Sequence, residues 1–181
     1  MPKNFDLNFK IFKQNYFDPR RHHQSIIVNS CGNYIVCLRK SSKLPPVSLS
    51  PIFINFEGLK VVYTGITKAS LRARNYKHFT GNNAQVSTLR KSLGALLGFE
   101  QIPRDKSSNN NRTKFGREDE QKLSEWMCNN LVMFFLPTAD FNNIEIELIN
   151  HFNPPLNLKS NKNVINLDFR LLLSSLRTRK E

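Results

Sequence analysis

Residues 61–74 read VVYTGITKASLRAR. An apolar, β-branched run carries a Tyr–Thr–Gly step and then passes into a basic segment of helical character, so one short stretch predicts strand, turn and helix in succession. An earlier run, GNYIVCLRK at residues 32–40, repeats the theme of a tyrosine near a glycine on a β-prone segment. Two such strands, if adjacent, bring two phenols together ahead of an arginine-bearing helix.

The rest of the chain supplies partners for that unit. IFINF precedes LKVVYTG across Glu57–Gly58, which reads as a hairpin, whereas KLPPVSLSP interrupts the β character with prolines that a central strand does not accept. Helices are expected over SLRARNYKHF, STLRKSLGALLGF (with Ser87 or Thr88 as its cap), REDEQKLSEWMCNN and NNIEIELINHF. LVMFFLP reads as a buried strand closed by Pro137, and PRDKSSNNNRTKFG as a polar loop. The class is α+β, a small central antiparallel sheet with helices packed on it. Three segments are expected: an N-terminal arm (1–30), a central α+β domain (31–158) and a basic C-terminal helical extension (159–181), whose helix has Phe169, Leu172 and Leu173 on its apolar side. In the arm, Phe residues suit docking on the core, and Arg20, Arg21, His22 and His23 suit a backbone phosphate.

Charge narrows the partner. The chain has 181 residues, with 27 Lys plus Arg against 14 Asp plus Glu and a formal charge of +13, which points to a polyanion, nucleic acid first. From Gly58 to Phe99 there are cations (Lys60, Lys68, Arg72, Arg74, Lys77, Arg90, Lys91) and no carboxylate, which reads as a phosphate-facing surface. The acids cluster instead in Glu118, Asp119 and Glu120, suited to a helix's first turn. Cys31, Cys37 and Cys128 show no metal or disulfide spacing and read as buried thiols. No stretch has the length and apolarity of a membrane span, so a soluble, cytoplasmic protein is expected.

Two residue patterns carry chemistry. On the NNIEIELINHF helix, at about 100° per residue, Glu145 shares its side with Leu148, Ile149 and Phe152, while Glu147 faces away. An ionised group on a core-facing side is costly alone, so Glu145 lines a cleft, holds a cation or pairs with an arginine. On the SLRARNYKHF helix, Leu71, Arg74, Asn75 and His78 share a face, and the Arg74–His78 pair is suited to grip a phosphate.

With these residues in place, GNY at 32–34, YTG at 63–65, LRAR at 71–74, EIELI at 145–149 and PPLN at 154–157 together resemble the successive motifs of the GIY-YIG nuclease family. The likeness spans about residues 32–158 and is specific because the separated motifs occur in the family's order. It implies a three-stranded antiparallel sheet flanked by helices, and an endonuclease that hydrolyses phosphodiester bonds in DNA with Mg²⁺ or Mn²⁺. It assigns Tyr34 and Tyr63 as paired active-site tyrosines, Arg74 as phosphate ligand, Glu145 as the metal-binding carboxylate, and Asn157 as a support. His78 and Lys68 match looser family positions, and Arg72, Lys77, Arg90 and Lys91 join Lys68 as expected nucleic-acid contacts. The chain departs from the pattern in Asn33 and Thr64, which replace apolar middle residues and should point away from the tyrosines, and in the long connection between Tyr34 and Tyr63.

Such a site supports metal-assisted hydrolysis, with nearby cations lowering a phenol's pKa so that it accepts a proton from water. Either tyrosine can serve; the reading favours Tyr34 as base, Tyr63 as a hydrogen-bonding partner to water or phosphate, and Arg74 as the group offsetting transition-state charge. The competing reading is a nucleic-acid-binding module on the same scaffold that does not cut. Restriction-type and structure-specific cleavage stay equally open, as do monomer and homodimer.

Overall fold

The structure, a computed structural model, describes residues 3–103 and 113–178. Helix α1 (Lys3–Gln14) leads into strand β1 (Tyr16–Phe17), and strand β2 (Gly32–Leu38) is followed by the hairpin strands β3 (Asn55–Phe56) and β4 (Leu59–Thr67). Helices α2 (Leu71–Phe79) and α3 (Thr88–Leu96) come next, then a ribbon of β5 (Ile102–Pro103) and β6 (Thr113–Lys114). Helix α4 (Arg117–Asn130), strand β7 (Leu131–Pro137), helix α5 (Phe141–Phe152) and helix α6 (Leu167–Leu176) complete the order. Most of the expected polar loop, 104–112, and the cations Arg179 and Lys180 lie outside the described residues.

The α+β class holds, with one correction. The main sheet has five antiparallel strands in the order β1-β7-β2-β4-β3, not three. The three long strands β7, β2 and β4 form the centre; β3 is the part of the expected IFINF arm that pairs, and β1 is a two-residue edge too short to show a period in sequence. β3 caps the β4 edge through a hairpin whose Glu57 and Gly58 both have positive φ, 50° and 72°, as a tight two-residue turn requires. Pairing therefore uses the end of the proline-bearing connection to cover an otherwise open edge.

Strand β2 is buried at every position because both its faces are covered. Tyr34, Val36 and Leu38 join one core with Leu71, Phe79, Leu93, Met127 and Leu173, from the helices on that side. Ile35 and Cys37 point the other way, into a second core with Phe12, Phe134, Leu148 and Phe152. Each large apolar side chain buried this way contributes about 1.5–3 kcal/mol. At the start of β2, a Cβ on Gly32 would sit 2.1 Å from the Leu136 carbonyl oxygen, so the close approach of β2 to β7 admits only glycine there.

The N-terminal segment is bolted to the sheet. Phe12 is fully buried, Tyr16 pairs with Phe134, and the Asp18 carboxylate accepts two bonds from the Arg39 guanidinium at 2.7 and 2.6 Å. That fork holds the Asp18 carboxyl down at about 2. Among the described residues no helix is long and apolar enough to cross a membrane.

A second correction concerns Arg90. Expected on a phosphate-facing surface, it is instead wholly buried, and all its donors are engaged. Nε and Nη2 reach Glu120 Oε2 at 3.1 and 2.6 Å, Nη2 also donates to the Glu120 carbonyl, and Nη1 donates to the His78 carbonyl and Ser124 Oγ, each at 2.8 Å. An arginine at a helical position with no carboxylate nearby in sequence looks free; Glu120, from the first turn of α4, is brought to it by helix packing. Arg90→Ala is expected to destabilise the fold by about 3–5 kcal/mol, since it strands the Glu120 carboxylate in the core. Urea denaturation of the variant checks this, and a loss under about 1 kcal/mol would contradict the burial.

Candidate active site

Strand pairing sets the geometry of the two tyrosines. Tyr34 lies opposite Gly65 and Val36 opposite Tyr63, so Tyr34 and Tyr63 share one face of the sheet with ring centroids 6.2 Å apart. The Tyr34 phenol crosses directly over Gly65: a Cβ there would stand 2.4 Å from the Tyr34 hydroxyl oxygen and 3.0 Å from the Tyr63 ring. The glycine after Tyr63 is thus the space that the other phenol occupies. A bulge follows, because Val36 faces Tyr63 while Cys37 faces Val61, and both Val62 and Tyr63 contribute to the same core. The freed Val62 carbonyl accepts the Leu156 N–H at 3.0 Å.

Asn157 continues that closure one residue on. Its side-chain oxygen accepts from the Thr64 N–H and its amide donates to the Thr64 carbonyl, both at 2.9 Å. A buried amide therefore does what a neighbouring strand would do, pinning the backbone between Tyr63 and Gly65. Asn33 and Thr64 do point away from the tyrosines, and Asn33 Nδ2 donates to the Phe141 carbonyl at 2.9 Å, anchoring the start of α5 to β2.

The Tyr63 phenol ends at the start of α3, and the Tyr34 phenol connects to it through His78 of α2. The Tyr34 hydroxyl bonds His78 Nε2 at 2.8 Å, and His78 Nδ1 bonds Ser87 Oγ at 2.7 Å. Ser87 is the N-cap of α3, accepting the Arg90 N–H at 3.1 Å. The Tyr63 hydroxyl bonds Thr88 Oγ1, also of this turn, at 2.9 Å. Arg74, one helical turn before His78, is half-buried and places Nη1 3.4 Å from the Val86 carbonyl oxygen.

Glu145 arrives from the opposite face of the sheet, on α5, and is half-buried. It lines a cleft of about 620 Å³ with Tyr63, Thr88, Lys91, Asn157 and Arg177. It forms no ion pair among the described residues, and its charge acts on both phenols, as does that of Arg74 with the opposite sign. Of the three openings left by the sequence, the cleft is the one the fold provides. A half-buried carboxylate without a protein counter-ion, open to a wet cleft, suits a hard divalent cation that keeps most of its waters.

The phenols correct an expectation. Nearby cations were to lower their pKa values, and Arg74 does pull both down. Burial is the larger effect, and both stand above the ordinary tyrosine value, Tyr34 well above. Burial likewise raises the Glu145 carboxyl, and it drives His78 down to about 3, with Arg74 and Arg90 adding to the fall. In the free protein both phenols and the imidazole are uncharged at neutral pH.

The expected DNA contacts divide. Lys91 lines the cleft, while Lys68 and Lys77 are exposed outside it. Arg72 donates to the carbonyls of Ile27 and Ser25 at 2.8 and 3.1 Å, tying the N-terminal segment to α2. Sequence reasoning passed over Thr88, Lys159 and Arg177, all on the cleft wall. Only the capping signature at Ser87–Thr88 offered a clue; the other two lie in the tail set apart as an extension.

Residues 32–179 match the model of a protein family described as the GIY-YIG catalytic domain, and the chain belongs to that family. No curated protein and no solved structure gives a match.

The buried imidazole has a consequence for acid stability. Above the ordinary histidine value of about 6.5 the folded and unfolded chains both hold His78 neutral. Below it the unfolded chain takes up a proton that the folded chain refuses until about pH 3. Stability is therefore full above pH 6.5 and lost as pH falls, by about 2 kcal/mol at pH 5. Urea titrations across this range should show the loss, and His78→Gln should be less pH-dependent than the parent by that amount.

Proposed function

We propose, from that membership and this geometry, that the chain is a divalent-metal-dependent endonuclease acting on DNA. Nuclease activity is the general property of the family. The observation that carries the finer reading is that Glu145, unpaired among the described residues, shares one cleft with the Tyr63 hydroxyl, and that Arg74 acts on the same phenols.

When bound at Glu145, Mg²⁺ or Mn²⁺ supplies positive charge that polarises a phosphate oxygen and makes ionisation of water and phenol easier. Tyr63 lines the cleft and Tyr34 lies behind it, so the base assignment moves from Tyr34 to Tyr63. Tyr63, after releasing its own proton to solvent in the cleft, takes a proton from the water that attacks phosphorus; the bond from phosphorus to the leaving sugar oxygen breaks, and that oxygen takes a proton from solvent. Tyr34 packs against Tyr63 and is oriented by His78. His78 is not the group that ionises it. Burial raises the phenol's hold on its proton and lowers the imidazole's affinity for one, so the two are mismatched for proton transfer. Arg74 offsets the charge that builds on the phosphoryl oxygens, and Asn157 keeps Tyr63 in place by holding Thr64.

The alternative, a binding module without chemistry, is disfavoured because neither the carboxylate nor the arginine is lost. Supercoiled plasmid with Mg²⁺ or Mn²⁺ is expected to be nicked or linearised, and added chelator to stop it. Glu145→Ala, Arg74→Ala and Tyr63→Phe should each slow cutting by about a hundredfold or more while still binding plasmid. Undiminished cutting by Glu145→Ala and Arg74→Ala together would refute the site. Sequencing the ends from a mixed substrate separates fixed-sequence cleavage from recognition of branched or damaged DNA.

A further inference from the structure

The cleft lining is basic, and most of its cations come from the chain's C-terminal part. Lys91 of α3, Lys159 of the connection after Asn157, and Arg177 at the end of α6 all line it, together with the hydroxyl-bearing Ser174 and Thr178. Among the described residues, Glu145 is the one carboxylate on that lining.

Arg177 is the informative member. It is the C-cap residue of α6, and its guanidinium is half-buried, with Nη1 3.3 Å from Ser92 Oγ. No carboxylate pairs with it among the described residues, in contrast to Arg90 and Arg39, whose buried forks are matched by Glu120 and Asp18. A planar fork withdrawn from water with one weak hydroxyl contact has donors to spare. The helix C-terminus at which it sits favours a cation, but by only about 0.3–1 kcal/mol, so the dipole does not replace a counter-ion. Tyr63 acts electrostatically on Arg177, which places the group beside the phenol that the reaction uses. An anion entering the cleft meets this fork and the two ammonium groups together.

We propose that Arg177, with Lys159 and Lys91, forms a second phosphate-binding site that holds a phosphate of the substrate strand next to the one being cut. This rests on the nuclease reading for its choice of substrate. It makes α6 part of the substrate-binding wall, not a separate extension. Arg74 and Glu145 then address the reacting phosphate, and Arg177 fixes the strand's register in the cleft. A guanidinium suits this task because its fork meets two phosphate oxygens at once.

The test uses the full chain in a Glu145→Gln background, so that binding is measured without cutting. Fluorescence anisotropy with a labelled duplex oligonucleotide is followed across a range of salt concentrations. Arg177→Ala is expected to weaken binding by about tenfold and to reduce the steepness of log K against log salt by about one. Lys159→Ala, at an exposed position, should reduce the slope in the same sense; it decides the matter if Arg177→Ala fails to fold in a thermal melt. Arg177→Lys should restore the slope but only part of the affinity. Lys122→Ala, which removes a charge from α4 outside this wall, should leave the slope unchanged. With Glu145 restored, Arg177→Ala should raise KM more than it lowers kcat.

Slopes and affinities for Arg177→Ala and Lys159→Ala equal to the parent's would overturn the proposal, even if the parent cuts plasmid normally. Conversely, a parent that cuts nothing but shows the reduced slopes would remove the nuclease reading and leave the phosphate site standing.

Discussion

The phenol of Tyr34 occupies the space that any side chain at residue 65 would need. That contact joins backbone and chemistry. It requires β2 and β4 to pair in one register, since a slip of a single residue between them would put the two tyrosines on opposite faces of the sheet and leave Gly65 as an empty notch. It also explains why a glycine with no unusual φ stands in the middle of a long strand. The bulge at Val62, the Leu156 bond to its carbonyl and the Asn157 amide on Thr64 all act on the same few residues, from the other edge. The region is therefore held from both sides, and the two hydroxyls are tied to the N-terminus of α3, that of Tyr34 through His78, with little freedom.

Holding polar groups this tightly means burying them, and burial sets their electrostatics. The imidazole of His78 is neutral, hydrogen-bonded at both nitrogens and flanked by Arg74 and Arg90. Charging it would place a third cation among two, which adds to burial in keeping it neutral between Tyr34 and Ser87. The phenols are kept protonated by the same withdrawal from water. In the proposed reaction this makes ionisation conditional on positive charge arriving in the cleft, so that the base forms where metal and phosphate are already in place.

The cations, alike in composition, separate into three kinds once folded. Arg90 and Arg39 are structural, each closed on a buried carboxylate. Arg72 is a tether, closed on backbone carbonyls. Arg74, Lys91, Lys159 and Arg177 are arranged around the phenols and the cleft. A formal charge of +13 identifies a polyanionic partner but not the residues that meet it.

Periodicity, caps and turn residues were enough to place β2, β4, β7 and the helices α2 to α6, because each of those elements is long and has at least one face committed to the core. Turn chemistry at Glu57–Gly58 also located the β3–β4 hairpin, but the local signals were silent on β1, whose two-residue pairing exists only because a longer strand is there to receive it. In the candidate site, helical phase set Arg74 and Glu145 apart, whereas Tyr34, Tyr63 and Asn157 were legible through their resemblance to the family's motifs. What meets each side chain depends on packing between elements distant in the chain. Hence the Arg90–Glu120 pair, the dominance of burial over charge at the phenols, and the arrival of Arg177 on the cleft wall were decided only by the tertiary structure, because desolvation and ion pairing are set by neighbours in space and not by neighbours in sequence.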